Sequence, residues 1–332
     1  MRVLTFHLLR CIRCGSENLS LFQKGGEEVR LEGIEAPYRE FEEGAVICED
    51  CSFYYTIGVV APGILDASPI YFRDPGREIQ VLSKWGIDTT FLRSDMPELG
   101  QRDRWLLSQI KEAMKAYETP GECWSVDELD MMPYFLRILR EGGVTLDLAG
   151  GYGRCTPHLL EKAGFVVLAD LSAKELEVGR NLLSILKNVD FVRLDMLNPP
   201  FRKGTFDGIW FTQAFEYVPP DKLEGFISEM SRMLKPGGVF FGNMEGQPIW
   251  RLLKAYLRLR LRGNPARLGE YIYEINGLRH YHSVPALSRS KVEKLFGKYG
   301  LTIVCRRNYK EQASYPLVYL LQRQGSCSPP HT

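Results

Sequence analysis

The second half of the chain alternates between short apolar runs and longer segments whose apolar residues recur at helical spacing. VTLDLAG, FVVLAD, VDFVRLD, FDGIWFTQ and GGVFFGNM are strand-like runs, and most are followed by a helical pattern such as AKELEVGRNLLSIL or DKLEGFISEMSRML. Strands separated by helices predict a parallel sheet with right-handed crossovers. We therefore predict a doubly wound α/β domain over 141–325, with an insertion at about 247–282 and a flexible tail at 326–332.

The first 140 residues have a different pattern. LSLF, AVIC and FYYTIGVV are short strand-like runs between polar turns, so residues 1–65 are predicted to form a small β domain. Residues 66–140 begin with a Pro/Asp/Gly-rich stretch and continue with helical patterns, including WLLSQIKEAMKAY. We interpret 66–140 as a linker with helices that cap the following domain.

Composition and charge narrow the class of protein. Of the 332 residues, 45% are hydrophobic and 25% charged, which is typical of a globular protein. The formal net charge of +1 gives no global field for nucleic acid, so any basic surface must be local. The sequence has no apolar run long enough for a transmembrane helix, and the apolar N-terminal run is too short for a signal peptide. A cytoplasmic protein is the expectation.

The cysteines of the N-terminal region form two C-x-x-C pairs, Cys11 with Cys14 and Cys48 with Cys51. Two such pairs bring four thiolates into a tetrahedron, which is a strong pattern for structural Zn²⁺. A small unit buries little core, so a bound metal is a plausible source of its stability. Iron in a rubredoxin-like site is the alternative.

The stretch LDLAGGYGR ends the first strand of the α/β domain and opens a helix. A glycine-rich turn there lets the backbone approach a ligand closely, as in dinucleotide sites too. Thr156 occupies the position at which a dinucleotide-binding fingerprint requires a small residue, so the loop fits that fingerprint poorly. Asp147, Asp170 and Asp195 fall at the carboxyl ends of consecutive strands, where ligands bind in open α/β sheets. Three acids favour a cationic, phosphate-free nucleoside over a pyrophosphate.

Residues 144–322 resemble class I S-adenosylmethionine-dependent methyltransferases of the ubiquinone/menaquinone type, through LDLAGGYGR, VVLADLSAKELEVGR, VDFVRLDM, FDGIWFTQAFEYVP and MLKPGGVFF in that order. The resemblance implies a Rossmann-like, seven-stranded, mostly parallel sheet preceded by a zinc-ribbon domain. It also implies S-adenosylmethionine as the methyl donor. One departure from the motif is Ala149, which replaces the first glycine of the usual loop. The resemblance implies these donor-binding residues: Asp147, Ala149, Gly150, Gly151 and Gly153 around the methionine part, Asp170 and Leu171 at the ribose, Asp195 and Met196 at the adenine, and Gln213.

The N-terminal stretches FHLLRCIRCGSENLSL and AVICEDCSFYYTIGVVAPGIL resemble small zinc-ribbon proteins that bind and activate RNA and protein methyltransferases. The match is partial in the tail after the second pair. It implies a possible protein partner for the zinc ribbon. A ribbon fused to a methyltransferase is also similar to a group of ribosomal-RNA guanine methyltransferases.

The loop after the fourth strand faces the donor methyl group in this fold, and it supplies the acceptor-side candidates. Glu216 and Tyr217, together with His282 and its neighbour His280, are candidates for a general base, although each also has an ordinary structural interpretation. Residues 198–201, Asn-Pro-Pro-Phe, resemble the acceptor turn of amino-group methyltransferases. They precede the fourth strand, however, and are predicted to be a connecting loop.

The insertion carries an amphipathic stretch, 250–262, with a basic stripe and an apolar side. It fits a lid over an apolar acceptor, peripheral contact with a membrane surface, an RNA-binding stripe, or a solvated helix packed on the sheet edge. The sequence thus predicts methyl transfer to an unassigned acceptor. RNA is slightly favoured over a lipid, a quinone-like molecule or another small molecule. A non-catalytic donor-binding partner or scaffold is the third alternative.

Overall fold

The computed structural model of the chain describes residues 1–29, 39–95, 98–114, 126–244, 247–275, 278–285, 289–308 and 317–324. The chain divides into two compact units. The first comprises Met1–Pro97, Leu146–Leu160 and Gly164–Thr205; the second comprises Glu98–Thr145, Glu161–Ala163 and Phe206–Thr332.

The first unit is built on a sheet whose strand order is β1-β2-β3-β4-β7-β6-β5. Its helices and strands are α1 (Val3–Leu8), β1 (Leu19–Gln23), β2 (Gly44–Cys48), β3 (Tyr54–Ile57), β4 (Leu65–Asp66), α2 (Pro75–Lys84), β5 (Val144–Leu148), α5 (Thr156–Leu159), β6 (Phe165–Asp170), α6 (Ala173–Leu182) and β7 (Val189–Arg193), with a turn of 3₁₀-helix at Ile70–Phe72.

Strands β1 to β4 pair antiparallel with one another, and β4 then pairs parallel with β7. The side chain of Arg193 at the end of β7 reinforces this join: its guanidinium lies 2.9 Å from Asp66 Oδ2 and donates to the carbonyl oxygens of Leu171 and Phe72. Both side chains are buried. The N-terminal strands therefore continue the sheet that β5 to β7 begin.

The second unit contains α3 (Gln101–Met114), α4 (Val126–Ile138), β8 (Phe206–Phe211), α7 (Leu223–Met233), β9 (Leu234–Met244), α8 (Ile249–Leu261), β10 (Glu270–Ile275), β11 (Leu278–Ser283), α9 (Arg289–Lys298), β12 (Leu301–Asn308) and β13 (Leu317–Arg323), with a 3₁₀ turn at Phe215–Tyr217. Its main strands have the order β8-β9-β13-β12, and β10 and β11 form a separate hairpin. Trp210 stacks on Phe241 at 4.0 Å and meets Phe135 edge-on at 5.1 Å, so aromatic rings fill this core.

The predicted number of seven strands was wrong. The first unit alone has seven strands in its sheet, and the second adds four main strands. The four additional strands are β1 to β4, which pair in succession from the predicted ribbon region to β7 through β4. The prediction of a mostly parallel sheet fails for these strands, since β1–β2, β2–β3 and β3–β4 are antiparallel.

Several expected elements appear with changed bounds. The helix predicted at 105–117 begins earlier, at Gln101, and is described to Met114; residues 115–117 lie outside the described residues. The predicted tail at 326–332 lies outside them as well. The insertion at about 247–282 consists of α8 and the hairpin β10–β11. No helix among the described residues is long and apolar enough to cross a membrane.

Candidate functional site

A tight loop follows β5 and contains three backbone positions in the left-handed region. Ala149, Gly151 and Gly153 have φ of 54°, 56° and 84°. Glycine adopts this conformation without strain, but an alanine there costs about 1–2 kcal/mol. Ala149 thus keeps the conformation that a glycine favours. The carboxylate of the buried Asp147 accepts a 2.7 Å hydrogen bond from Thr156 Oγ1, which ties the start of the loop to α5.

Asp170 at the end of β6 holds the middle of this loop. Its Oδ2 accepts from the Gly151 amide at 2.9 Å, and its Oδ1 accepts from the Ser172 amide at 2.7 Å. Burial raises the pKa of the Asp170 carboxyl, although backbone amides oppose the shift. Ser172 in turn caps α6 by accepting from the Glu175 amide. Asp170 therefore links the loop to the helix that follows it, with Leu171 between them.

Glu175, in the first turn of α6, lies beside this loop, and it was not among the predicted site residues. Its side chain is buried, and its Oε2 has no hydrogen-bond partner among the described residues. A Cβ added at Gly151 would lie 3.5 Å from that oxygen. Burial, and then the charge of Asp170, raises the pKa of Glu175. The signal available in the sequence was an acid in the first turn of the helix after Asp170.

Asp195 and Met196 follow β7 after one residue, Leu194, and are half-buried. The Asp195 carboxylate accepts from the Leu197 amide at 2.9 Å, and its carbonyl accepts from the Asn198 amide at 2.9 Å. Because β5, β6 and β7 are neighbours in the sheet, Asp147, Asp170 and Asp195 lie at the carboxyl ends of adjacent strands. The strand-end arrangement expected for the three acids is present.

The Asn-Pro-Pro-Phe stretch at 198–201 is a connecting loop. Phe201 is fully buried and forms an antiparallel bridge with Leu9. The Arg10 amide donates to the Pro200 carbonyl oxygen at 2.7 Å. The stretch therefore anchors the segment that leads into the first cysteine pair.

The four N-terminal cysteines come together. The Sγ atoms of Cys11, Cys14, Cys48 and Cys51 all lie within 4.8 Å of one another, and the pairs 11–51 and 14–48 are 3.6 Å apart. A tetrahedron with Zn–S bonds of about 2.3 Å has sulfur–sulfur edges of about 3.8 Å, so the thiol set fits Zn²⁺. Burial raises the pKa of Cys48 to about 11, so a bound cation would have to displace its proton. The same set of ligands suits iron in the alternative site.

In the second unit, Gln213 lies two residues after the end of β8 and has a φ of 50°. Its amide donates to Asn243 Oδ1 at 2.8 Å, and its side-chain Nε2 donates to Glu128 Oε2 at 3.1 Å. Glu128 and Asn243 are fully buried. A non-glycine residue held in this conformation by two buried partners is typical of a functional loop. Glu128 was not among the predicted site residues, because 66–140 was interpreted as linker and cap.

The acceptor-side candidates separate into two groups. Glu216 is buried in the 3₁₀ turn, whereas the rings of Tyr217 and His282 lie 5.2 Å apart, edge to face. His282 contacts two tyrosine hydroxyls: Tyr273 at 3.0 Å from Nε2 and Tyr271 at 3.5 Å from Nδ1. His280 stacks on Tyr273 at 5.2 Å, and burial followed by the charge of His282 lowers its pKa. We call Tyr217, Tyr271, Tyr273, His280 and His282 the Tyr/His cluster.

Comparison with known proteins finds similarity over part of the chain. Residues 145–238 match the family described as "Methyltransferase domain". The chain is 36% identical over 128 residues to the ubiquinone/menaquinone biosynthesis C-methyltransferase UbiE of Erwinia tasmaniensis, which covers 36% of this chain and 50% of that protein. It is 40% identical over 106 residues to the same enzyme of Pseudomonas fluorescens, covering 30% and 41%. The chain thus spans about half the length of the curated relatives it matches.

Among solved structures, a methyltransferase of Methanosarcina mazei aligns at a TM-score of 0.47 and 16% identity, over 58% of this chain and 98% of that one. The family match at residues 145–238 includes the loop after β5, and the relatives are methyltransferases, so this part of the chain is similar to a methyltransferase domain.

Proposed function

We propose that the protein is an enzyme that transfers the methyl group of S-adenosylmethionine to a ring carbon of a small, apolar, quinol-like acceptor. The observation that carries the donor part is the loop at 147–153, which buried carboxylates at adjacent strand ends hold in place. Support for the acceptor comes from the relatives, which are described as ubiquinone/menaquinone biosynthesis C-methyltransferases. Neither of them is described as acting on RNA, so RNA, which the sequence slightly favoured, is not the acceptor that we propose.

A buried side chain beside the loop also fits the donor. Glu175 presents a buried carboxylate oxygen with no hydrogen-bond partner among the described residues, beside the loop at Gly151. Such an oxygen is costly unless a ligand compensates it, and the ammonium group of the donor's methionine part is a matching partner. Asp170 would accept from the ribose hydroxyls, and Asp195 with Met196 would face the adenine. Ala149, Gly150, Gly151, Gly153 and Leu171 complete the proposed donor-binding set of the first unit. Gln213 of the second unit stays a prediction.

When bound, S-adenosylmethionine supplies an electrophilic methyl carbon, which an acceptor atom attacks in line with the breaking carbon–sulfur bond, and S-adenosylhomocysteine leaves. Much of the acceleration in such a transfer comes from positioning, which the protein supplies. A ring carbon that gains a methyl group must also lose a proton, so a base is needed. His282 is our candidate, since two tyrosine hydroxyls contact its ring nitrogens and fix its orientation. Tyr217 and Tyr273 offer aromatic faces for a flat acceptor.

Glu216 has a weaker case as the base. Its side chain is buried in the 3₁₀ turn. His282 is half-buried and therefore more accessible to an acceptor. We retain Tyr217 as an acceptor-contacting residue.

A transfer assay with labelled S-adenosylmethionine tests the proposal. A desmethyl quinol, transfer RNA and bulk protein serve as separate acceptors, and the label is followed into the organic phase, RNA and protein. We expect label in the organic phase only, with His282→Asn lowering kcat by about 10²–10⁴ while leaving donor affinity unchanged. His7→Asn, which changes an exposed histidine outside the Tyr/His cluster, is the matched control. Label in RNA would contradict the proposed acceptor, and donor binding without transfer to any fraction would favour a scaffold.

We further propose that the four cysteines hold one structural Zn²⁺. The support is the thiol geometry, together with the position of the first pair just before β1 and of the second pair at the turn from β2 to β3. The zinc would stabilise an N-terminal region whose strands extend the sheet.

A further inference from the structure

Helix α8 packs one face on the described part of the chain and leaves the rest of its surface exposed there. Leu252 and Leu259 are buried on the side that lies against β10. At 100° per residue, the opposite side carries Trp250, Leu253, Leu257 and Leu261, which are 60%, 48%, 51% and 88% exposed. Single exposed apolar side chains are normal, but four on one helical face form a patch that requires a partner.

Cations flank this apolar face. Arg251, Lys254, Arg258 and Arg262 each follow one of the four apolar residues and form the neighbouring stripe, and all four are exposed. Arg260, also exposed, lies on the other flank. The sequence has no acidic residue from 247 to 269, so nothing on the helix neutralises these charges. The exposed surface of α8 is therefore apolar along its centre and positive on both sides.

We propose that α8 docks the protein on an anionic lipid bilayer surface, with its four exposed apolar side chains among the acyl chains and its cations at the phosphates. A helix of this kind lies in the interface plane, and its 13 residues are far too few to span the bilayer. The charge pattern selects this occupant. A second copy would place like charges face to face, and RNA would use the cations while leaving four large apolar side chains in water. Docking through α8 does not depend on the proposed methyl transfer.

Vesicle co-sedimentation with the full chain tests the proposal. The vesicles are phosphatidylcholine alone and phosphatidylcholine with phosphatidylglycerol. Anionic vesicles should bind the protein, neutral ones should bind it at least tenfold more weakly, and added salt should weaken binding. Leu257→Asp and Arg258→Glu should each reduce binding about tenfold.

Two matched controls separate docking from a general change of charge. Ile185 is 86% exposed outside α8, and Ile185→Asp makes the same apolar-to-acid change as Leu257→Asp. Lys84→Glu reverses an exposed charge elsewhere. Both controls should bind as the unchanged protein does. In a second readout, vesicles with brominated acyl chains should quench tryptophan fluorescence, and Trp250→Phe should remove that quenching while vesicle binding persists.

Three results would overturn the proposal. The first is no binding to anionic vesicles, and the second is binding that the α8 variants and the controls affect equally. The third is binding of a labelled oligouridine that Arg258→Glu abolishes and Leu257→Asp leaves intact, with no vesicle binding. That third result would assign the stripe to RNA. Variants are first compared by circular dichroism, so that loss of fold is not mistaken for loss of docking.

Discussion

The backbone of α6 lies directly against the proposed donor loop at Gly179, and this contact makes a sharp prediction. A Cβ added at Gly179 would lie 2.7 Å from the Tyr152 carbonyl oxygen and 3.0 Å from its carbonyl carbon. Ordinary contacts begin near 3.4 Å, so Gly179→Ala requires a movement of about 0.7 Å (3.4 less 2.7) between helix and loop. The obstructing atoms are backbone, which cannot rotate away as a side chain does. The movement must therefore displace the loop or the helix.

The magnitude follows from two opposing effects. Alanine in a helix is favoured over glycine by about 1 kcal/mol, while overpacking costs about 1–3 kcal/mol. Gly225 in α7 is the matched control, since nothing lies within 4 Å of a Cβ added there. Gly225→Ala should raise the free energy of unfolding by up to about 1 kcal/mol, and Gly179→Ala should lower it by up to about 2 kcal/mol.

Urea unfolding measures these stabilities, and calorimetry with S-adenosylhomocysteine measures the donor site. Gly179→Ala should weaken binding of this product about tenfold, because the shift displaces the loop at Gly151 and Gly153. Gly225→Ala should leave affinity unchanged. Equal stabilities and equal affinities for the two variants would refute the role that we assign to the α6–loop contact.

Three further predictions concern the metal, a buried ion pair and pH. Cys14→Ser should lose the one bound zinc ion that native mass spectrometry detects, and its melting temperature should fall. Cys305→Ser should retain the metal. Unchanged zinc content in Cys14→Ser would count against the four-thiolate site. Arg193→Ala should destabilise the fold by about 3–5 kcal/mol in urea unfolding, since it leaves the Asp66 carboxylate buried without its partner, and Asp66→Asn in the same chain should recover part of the loss. Burial raises the pKa of the Asp170 carboxyl, and the protonated carboxyl accepts hydrogen bonds less well. Donor affinity should therefore hold at neutral pH and fall as the pH drops through that raised pKa. Asp170→Asn should flatten this dependence of affinity on pH, and the same fall at acid pH in that variant would contradict the assignment.

The sequence predicted the placement of the strand-end acids and of the paired cysteines better than the strand pairing around them. The strand-end acids and the paired cysteines follow from local periodicity and spacing, and the structure brings each set together. The pairing of β4 with β7 could not be predicted this way. It joins Leu65 to Val192 across more than a hundred residues, through a contact between strand edges that no local pattern encodes.

Contacts between elements that are distant in sequence also explain why Glu128 was not predicted: its side chain accepts from Gln213 although it lies in a region interpreted as linker and cap. Glu175 lies beside the loop because the turn after Asp170 starts α6 there. Both contacts depend on how a helix is seated, which packing decides. For α8 the sequence predicted the amphipathic pattern correctly. The structure adds which side packs on β10 and which apolar side is exposed.

Calorimetric titration with S-adenosylhomocysteine, comparing the unchanged protein with Asp170→Ala, tests the central claim most directly. We predict saturable binding at one site per chain, and a loss of about 1–3 kcal/mol in Asp170→Ala, equivalent to roughly 5- to 150-fold in affinity. Folding of the variant is verified by circular dichroism. Absence of binding by the folded, unchanged protein, or equal affinity in the variant, would contradict the assignment of this loop as the methyl-donor site.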